Sequence, residues 1–132
     1  MTRSEQRQQI LALTFEKSFK DETLPEIIEN AIESRNLKTS AFVERSVNGI
    51  FDHLEQIDEL ISDCSIGWKL NRIPRVSLAV MRICVYEMLF ESDIPVSASI
   101  NEAVELVKKY GGDGDPSYVN GVLGAVAKKI TS

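Results

Sequence analysis

The chain has 132 residues, 43% of them hydrophobic, and a formal net charge of −5. That is enough apolar material for one compact domain over 1–132. No stretch approaches the ~20 apolar residues of a membrane span, and the polar start MTRSEQRQQ does not read as a signal peptide, so a soluble, cytoplasmic protein without membrane contact is expected. The charge is uneven: residues 1–20 carry four bases against two acids (+2), 21–65 three against eleven (−8), and 66–132 eight against seven (+1). An acidic chain repels a polyanion at long range, so any nucleic-acid site must be local and supplied by the two ends.

No run alternates with a period of two, whereas helix start signals recur. Thr2 with Glu5, Thr23 with Glu26 and Ser99 with Glu102 have capping-box spacing. A first helix is predicted over about 4–19, with Leu11, Phe15 and Phe19 stacked at i, i+4, i+8. A second, over about 24–34, buries Ile27, Ile28, Ala31 and Ile32. From Thr39, the residues Val43, Val47, Ile50, Leu54, Ile57 and Ile61 keep a 4-3-4-3-4 rhythm, which fits one long helix or two with a bend near His53. IGWKLNRIP interrupts the pattern at Gly67 and Pro74 as a connecting turn. PRVSLAVMRICVYEMLF then reads as a helix apolar on nearly every side, with Arg75, Arg82 and Glu87 as its exceptions, and SDIP breaks it. A sixth helix turns Ile100, Ala103, Val104 and Val107 inward and ends at GGDGD. Asp115 and Pro116 start the last one, whose stripe is Val119, Val122, Leu123, Val126 and Ile130. The pattern is all-α: six or seven helices in two small bundles that share the helix at 75–91 as a spine.

Gly121 and Gly124 sit inside that last helix, where each costs about 1 kcal/mol against alanine. With Ser117 and Ala125 they make one face nearly smooth. This predicts close packing against another helix of the same chain, or against a partner chain, with Asn120 satisfying backbone groups of a neighbouring loop.

The residues offer little catalytic chemistry. His53 is the single histidine, which leaves a histidine-based metal cluster or a Ser-His-Asp arrangement poorly supplied, and it reads as a surface or bend residue. GGDGDPS lacks the alternating acids and closing glutamate of a calcium loop, and no phosphate-cradling glycine motif is present. Cys64 and Cys84 lie in helical apolar patterns without CxxC spacing and are expected as buried free thiols. No catalytic residue, metal site or cofactor is expected, which leaves binding. Arg3 and Arg7 are four apart on the first helix, with Phe15 two turns on. Ser117 and Tyr118 open the last helix after a glycine loop, and Lys108, Lys109 and Tyr110 end the preceding one. Arginines for phosphate, aromatics for unstacked bases and free helix-end amides suit single-stranded RNA. Basic residues at helix ends also complement the helix dipole.

Three segments carry a wider likeness: VMRICVYEML (80–89), DIPVSASINEAVELVKKYG (93–111) and YVNGVLGAVAK (118–128). With RSEQRQQILALTF at the start and Trp68, the sequence resembles the NusB family of bacterial transcription antitermination factors over nearly its whole length. The resemblance implies seven helices in two perpendicular three-helix bundles. It also implies binding to boxA-type single-stranded RNA of ribosomal RNA leader transcripts, with the ribosomal protein NusE, in an RNA polymerase antitermination complex. Position by position it makes Arg3, Arg7, Phe15 and Tyr118 the RNA candidates, with Tyr110 and Ser117 as weaker neighbours. The NusE surface maps to 71–77, with Arg72 and Arg75 exposed. Relatives often carry a denser arginine run where this chain has RSEQR, and several carry lysine where Ser117 stands. Low intrinsic RNA affinity and a larger role for NusE follow. Some relatives form homodimers, so a homodimer is a possible further partner. An RNA-guiding module like those fused to ribosomal RNA methyltransferases, and a helical protein-interaction domain without RNA binding, are the alternative readings.

Overall fold

Side-chain caps decide where the first three helices begin. In a computed structural model, which describes residues 1–131, α1 spans Arg3–Lys17 behind a complete capping box: Thr2 Oγ1 accepts from Glu5 N–H, and Glu5 accepts from Thr2 N–H. The Thr2 N–H that donates to the Glu5 carboxylate, with the Thr2 hydroxyl beside it, holds that carboxyl below its ordinary pKa. Thr23 caps α2 (Leu24–Arg35), which carries Pro25 in its first turn and stops at Asn36 in the left-handed region at φ 53°. Ser40 caps α3 (Ala41–Asp52). The 4-3-4-3-4 run proves to be two helices, because α3 ends at His53 and α4 (Leu54–Cys64) begins there. The bend keeps His53 exposed and lays its ring on Phe90, centroids 4.2 Å apart. A 3₁₀ turn at Leu70–Arg72 leads into α5 (Arg75–Phe90), followed by α6 (Val96–Tyr110) and α7 (Asp115–Thr131).

Two local expectations fail. Ser99 is not a cap: α6 starts three residues earlier, after Pro95, and Ser99 is buried with its hydroxyl donating to Glu87 Oε1 at 2.8 Å. The first helix ends at Lys17, so Phe19 lies beyond it and is 54% exposed.

The nearly all-round apolar character of α5 is explained by its position. It packs against α1 and α3, which also touch each other, and against α4, α6 and α7, of which α7 touches the other two, and Val80, Met81 and Val85 are fully enclosed. α5 is thus the spine shared by the two groups of helices. α2 is peripheral and packs chiefly on α1. One neighbour covers only a narrow stripe of a helix, so Ile27, Ile28 and Ala31 are buried while Ile32, expected inside, is 43% exposed.

The smooth face of α7 is also placed differently from expectation. Ser117, Asn120 and Gly121 are exposed, and a Cβ added at Gly121 or Gly124 would meet nothing within 4 Å. The stripe of Val119, Val122, Leu123 and Val126 takes the inward side, which turns the small residues outward. The glycine that does permit a close approach is Gly49 in α3, where a Cβ would collide with the ring of Tyr86 on α5. Cys64 is partly buried and Cys84 buried, both free thiols, and burial pushes the Cys84 thiol up to about 12.

Candidate nucleic-acid interface

The two arginines that open α1 have different surroundings, although four residues place them one turn apart. Arg3 is exposed, and its Cζ lies 3.8 Å from the centroid of the Phe42 ring. No ion pair engages it among the described residues, so the ring holds a solvent-facing cation in place. Arg45 approaches the same ring at 5.3 Å but is committed to Glu91 through two bonds of 2.8 and 3.0 Å. That guanidinium, with the Tyr86 hydroxyl donating at 2.8 Å, holds the Glu91 carboxyl below its ordinary value.

Arg7 is only 5% exposed. Its Nε and Nη2 donate to the two carboxylate oxygens of Glu87 on α5 at 2.9 and 3.0 Å. Glu87 is itself 1% exposed and accepts a third bond from Ser99. Arg7, expected from the sequence among the RNA candidates, thus has its fork occupied by a buried carboxylate and ties α1 to α5. The sequence hinted at this, since Glu87 is the one acid on a largely apolar helix and needs a partner when buried.

Tyr110 closes α6 beside α1 and is 46% exposed. Its hydroxyl donates to Gln8 Oε1 at 2.9 Å, the Lys109 ammonium donates to the same oxygen at 3.1 Å, and that ammonium lies 5.3 Å from the Tyr110 ring centroid. Ser4, Gln8, Glu102, Glu105, Leu106, Lys108 and Lys109 line the cleft between α1 and α6, where Lys108 is paired with Glu105 at 3.3 Å and Ser4 donates to Glu102. Tyr110 and Lys109 put a ring face and an ammonium group side by side, which suits a base and its phosphate.

A second aromatic corner forms where α7 begins. Asp115 Oδ2 accepts from Gly112 N–H at 2.9 Å and folds the glycine loop onto the helix start. Ser117 is exposed in the first turn. Tyr118 is half-buried, with its hydroxyl bonded to Ser65 Oγ and its ring 6.0 Å from Trp68 in an edge-on arrangement. Trp68 is 51% exposed, and nothing in its spacing marks it as a site residue. Its position in an irregular turn, where no helical stripe claims it, is the signal that could have nominated it.

Phe15 is separate from both corners. It is half-buried, meets Phe19 edge-on at 5.0 Å, and through Phe19 is linked to Arg75, whose guanidinium lies 4.6 Å from that ring. The RNA candidate Phe15 thus stands next to a residue expected to meet NusE. Arg72 and Arg75 are both exposed, while Ser77, in the same segment, is fully buried. Among the described residues no group of three or more His, Cys, Asp or Glu is placed to hold a metal ion, and no helix is long and apolar enough to cross a membrane.

The NusB family model matches residues 3–128. The chain is 40% identical over 130 residues to the transcription antitermination protein NusB of Bacillus subtilis (strain 168), covering 98% of each chain. It is 39% identical over 132 residues to that of Clostridium novyi, covering 97% of this chain and 99% of the relative. Among solved structures, T. maritima NusB superposes with a TM-score of 0.86 at 34% identity, over 98% of this chain and 92% of that one. A crystal structure of antitermination factors NusB and NusE in complex with dsRNA superposes with a TM-score of 0.83 at 25% identity, over 98% and 99%.

Proposed function

The chain belongs to the NusB family, and from that premise we propose that it is a non-catalytic, cytoplasmic transcription antitermination factor. In this reading it is a single domain that binds boxA-type RNA of ribosomal RNA leader transcripts with NusE, inside an RNA polymerase antitermination complex. The observation that carries the reading is the full-length likeness to a NusB solved with NusE and RNA. The surface chemistry supports it. Arg3 is an exposed cation fixed on Phe42, Tyr110 presents a ring beside Lys109, and Tyr118 with Ser117 opens α7 next to Trp68. We assign RNA contact to these, and to Arg7 the role of fastening the helix that carries Arg3. Arg72 and Arg75 are assigned to NusE, with Phe15 and Phe19 at the border of the two surfaces.

Few exposed cations stand near the proposed RNA face, so the lone protein neutralises few phosphates, and NusE adds contacts to a shared site. A titration of labelled boxA-type RNA should show affinity at least tenfold higher with NusE present, about 1.4 kcal/mol of coupling. Equal affinity with and without NusE would sink the cooperative adaptor.

A further inference from the structure

α2 and α3 leave a groove between them whose floor is Pro25, Ile28 and Ile32. Ile28 and Ile32 are one turn apart; Ile28 shows 8% of its surface at the bottom of the groove, and Ile32 is 43% exposed although its spacing suits a core position. The rim is acidic on both sides. Glu29 and Glu33 run along α2 at i, i+4, and Glu44 stands on α3 one turn before Asn48. None of these three carboxylates takes part in an ion pair among the described residues. No basic side chain lines the groove. Glu29 and Glu33 also repel each other at i, i+4, a small cost that an incoming cation would reverse. The floor from Pro25 to Ile32 is about 10 Å long, two turns of helix.

We propose that this groove docks a basic amphipathic helix of a protein partner, with two apolar side chains on the isoleucine floor and lysines or arginines against the glutamate rims. The choice of occupant follows from charge. Three unneutralised carboxylates around an apolar strip repel RNA and attract a cationic helix. The groove goes beyond the RNA- and NusE-binding reading, since its residues lie on α2 and α3 and none of them is assigned above to either partner. It would give an adaptor a third surface, sorted from the RNA face by sign of charge.

The test is a titration of the full-length, isotopically labelled protein with a synthetic helical peptide of roughly 18 residues, carrying leucine and phenylalanine on one stripe and lysines on both flanks. The same peptide with glutamates for lysines, and polyuridine, serve as controls. Saturable amide shifts at Ile28, Ile32, Glu44 and Asn48, with affinity at least about tenfold above that of the acidic peptide, are expected. Charge reversal, Glu29→Lys with Glu33→Lys, should remove that preference while leaving the melting temperature and boxA RNA binding with NusE unchanged. Equal affinity for both peptides, or shifts confined to other helices, overturns the proposal. So does a groove that responds to polyuridine, or to dilution of the protein alone, which would make RNA or a second copy the occupant. Loss of RNA binding by the unreversed protein would instead overturn the functional reading and leave the groove result standing.

Discussion

Arg7 shows how one residue's role depends on what it faces. Its bidentate bond to Glu87 is buried on both sides, so removing the guanidinium strands a carboxylate in the core. Arg7→Met should destabilise the fold by about 3–5 kcal/mol, read from urea denaturation, and replacing Glu87 by leucine as well should recover most of the loss. A midpoint within error of wild type for the single variant would mean that the pair is solvated. Any RNA defect of Arg7→Met must then be measured below its unfolding transition before it is ascribed to contact. Gly121 is the opposite case. It is exposed and a Cβ there meets nothing, so Gly121→Ala should stabilise by about 0.4–1 kcal/mol through the unfolded chain's lost freedom. A lower melting temperature would show that the face is covered.

At the scale of elements, the α3–α5 crossing is held by a close approach and a clamp. Gly49 admits the Tyr86 ring, whose hydroxyl is fixed by Glu91, which in turn is gripped by Arg45. Because the hydroxyl is held, the ring cannot swing aside, and Gly49→Ala should cost about 1–3 kcal/mol by overpacking. The clamp also has a pH signature. The folded-state pKa of Glu91 lies below its ordinary 4.5, so its contribution is complete above that value and lost as pH falls through the folded one. The stability gap between wild type and Glu91→Gln should therefore be largest near neutrality and narrow below pH 4.5. A gap independent of pH would show that the carboxylate charge is not what matters. Helix positions were readable because caps and apolar spacing act within a turn or two: Thr2, Thr23 and Asp115 marked real starts. What escaped was tertiary. Spacing says which residues share a face but not whether a neighbour covers it, so Ile32 and the α7 glycines were assigned to contacts that α1 and the core do not provide. Arg7 and Arg3 looked equivalent for the same reason, since only the position of Glu87 across the bundle separates them.

For the whole molecule, the decisive quantity is where charge is left unpaired. The segment 21–65 holds most of the negative excess, on α2, α3 and α4, while the exposed cations assigned to RNA stand at the start of α1 and the end of α6. With Arg7 withdrawn into the core and Lys108 paired with Glu105, the exposed cations at or beside the residues assigned to RNA are Arg3, Lys109 and Lys69, which follows Trp68. The slope of log K against log salt for RNA binding by the lone protein should then be about −2, from roughly −0.7 per phosphate on a single strand. NusE should steepen it. A slope much steeper than this for the lone protein would mean that the RNA path runs over basic residues elsewhere.

Trp68 adds a property that belongs to optics. It is the only tryptophan in the chain, half exposed and 6.0 Å from the Tyr118 ring. Its emission is therefore a single-site signal from the corner where α7 begins, and it is not among the residues that line the acidic groove. Nucleobases stacking at that corner should quench it in proportion to occupancy, without any attached dye. Binding of the cationic peptide between α2 and α3 should leave it unchanged, so one cuvette would tell the two surfaces apart.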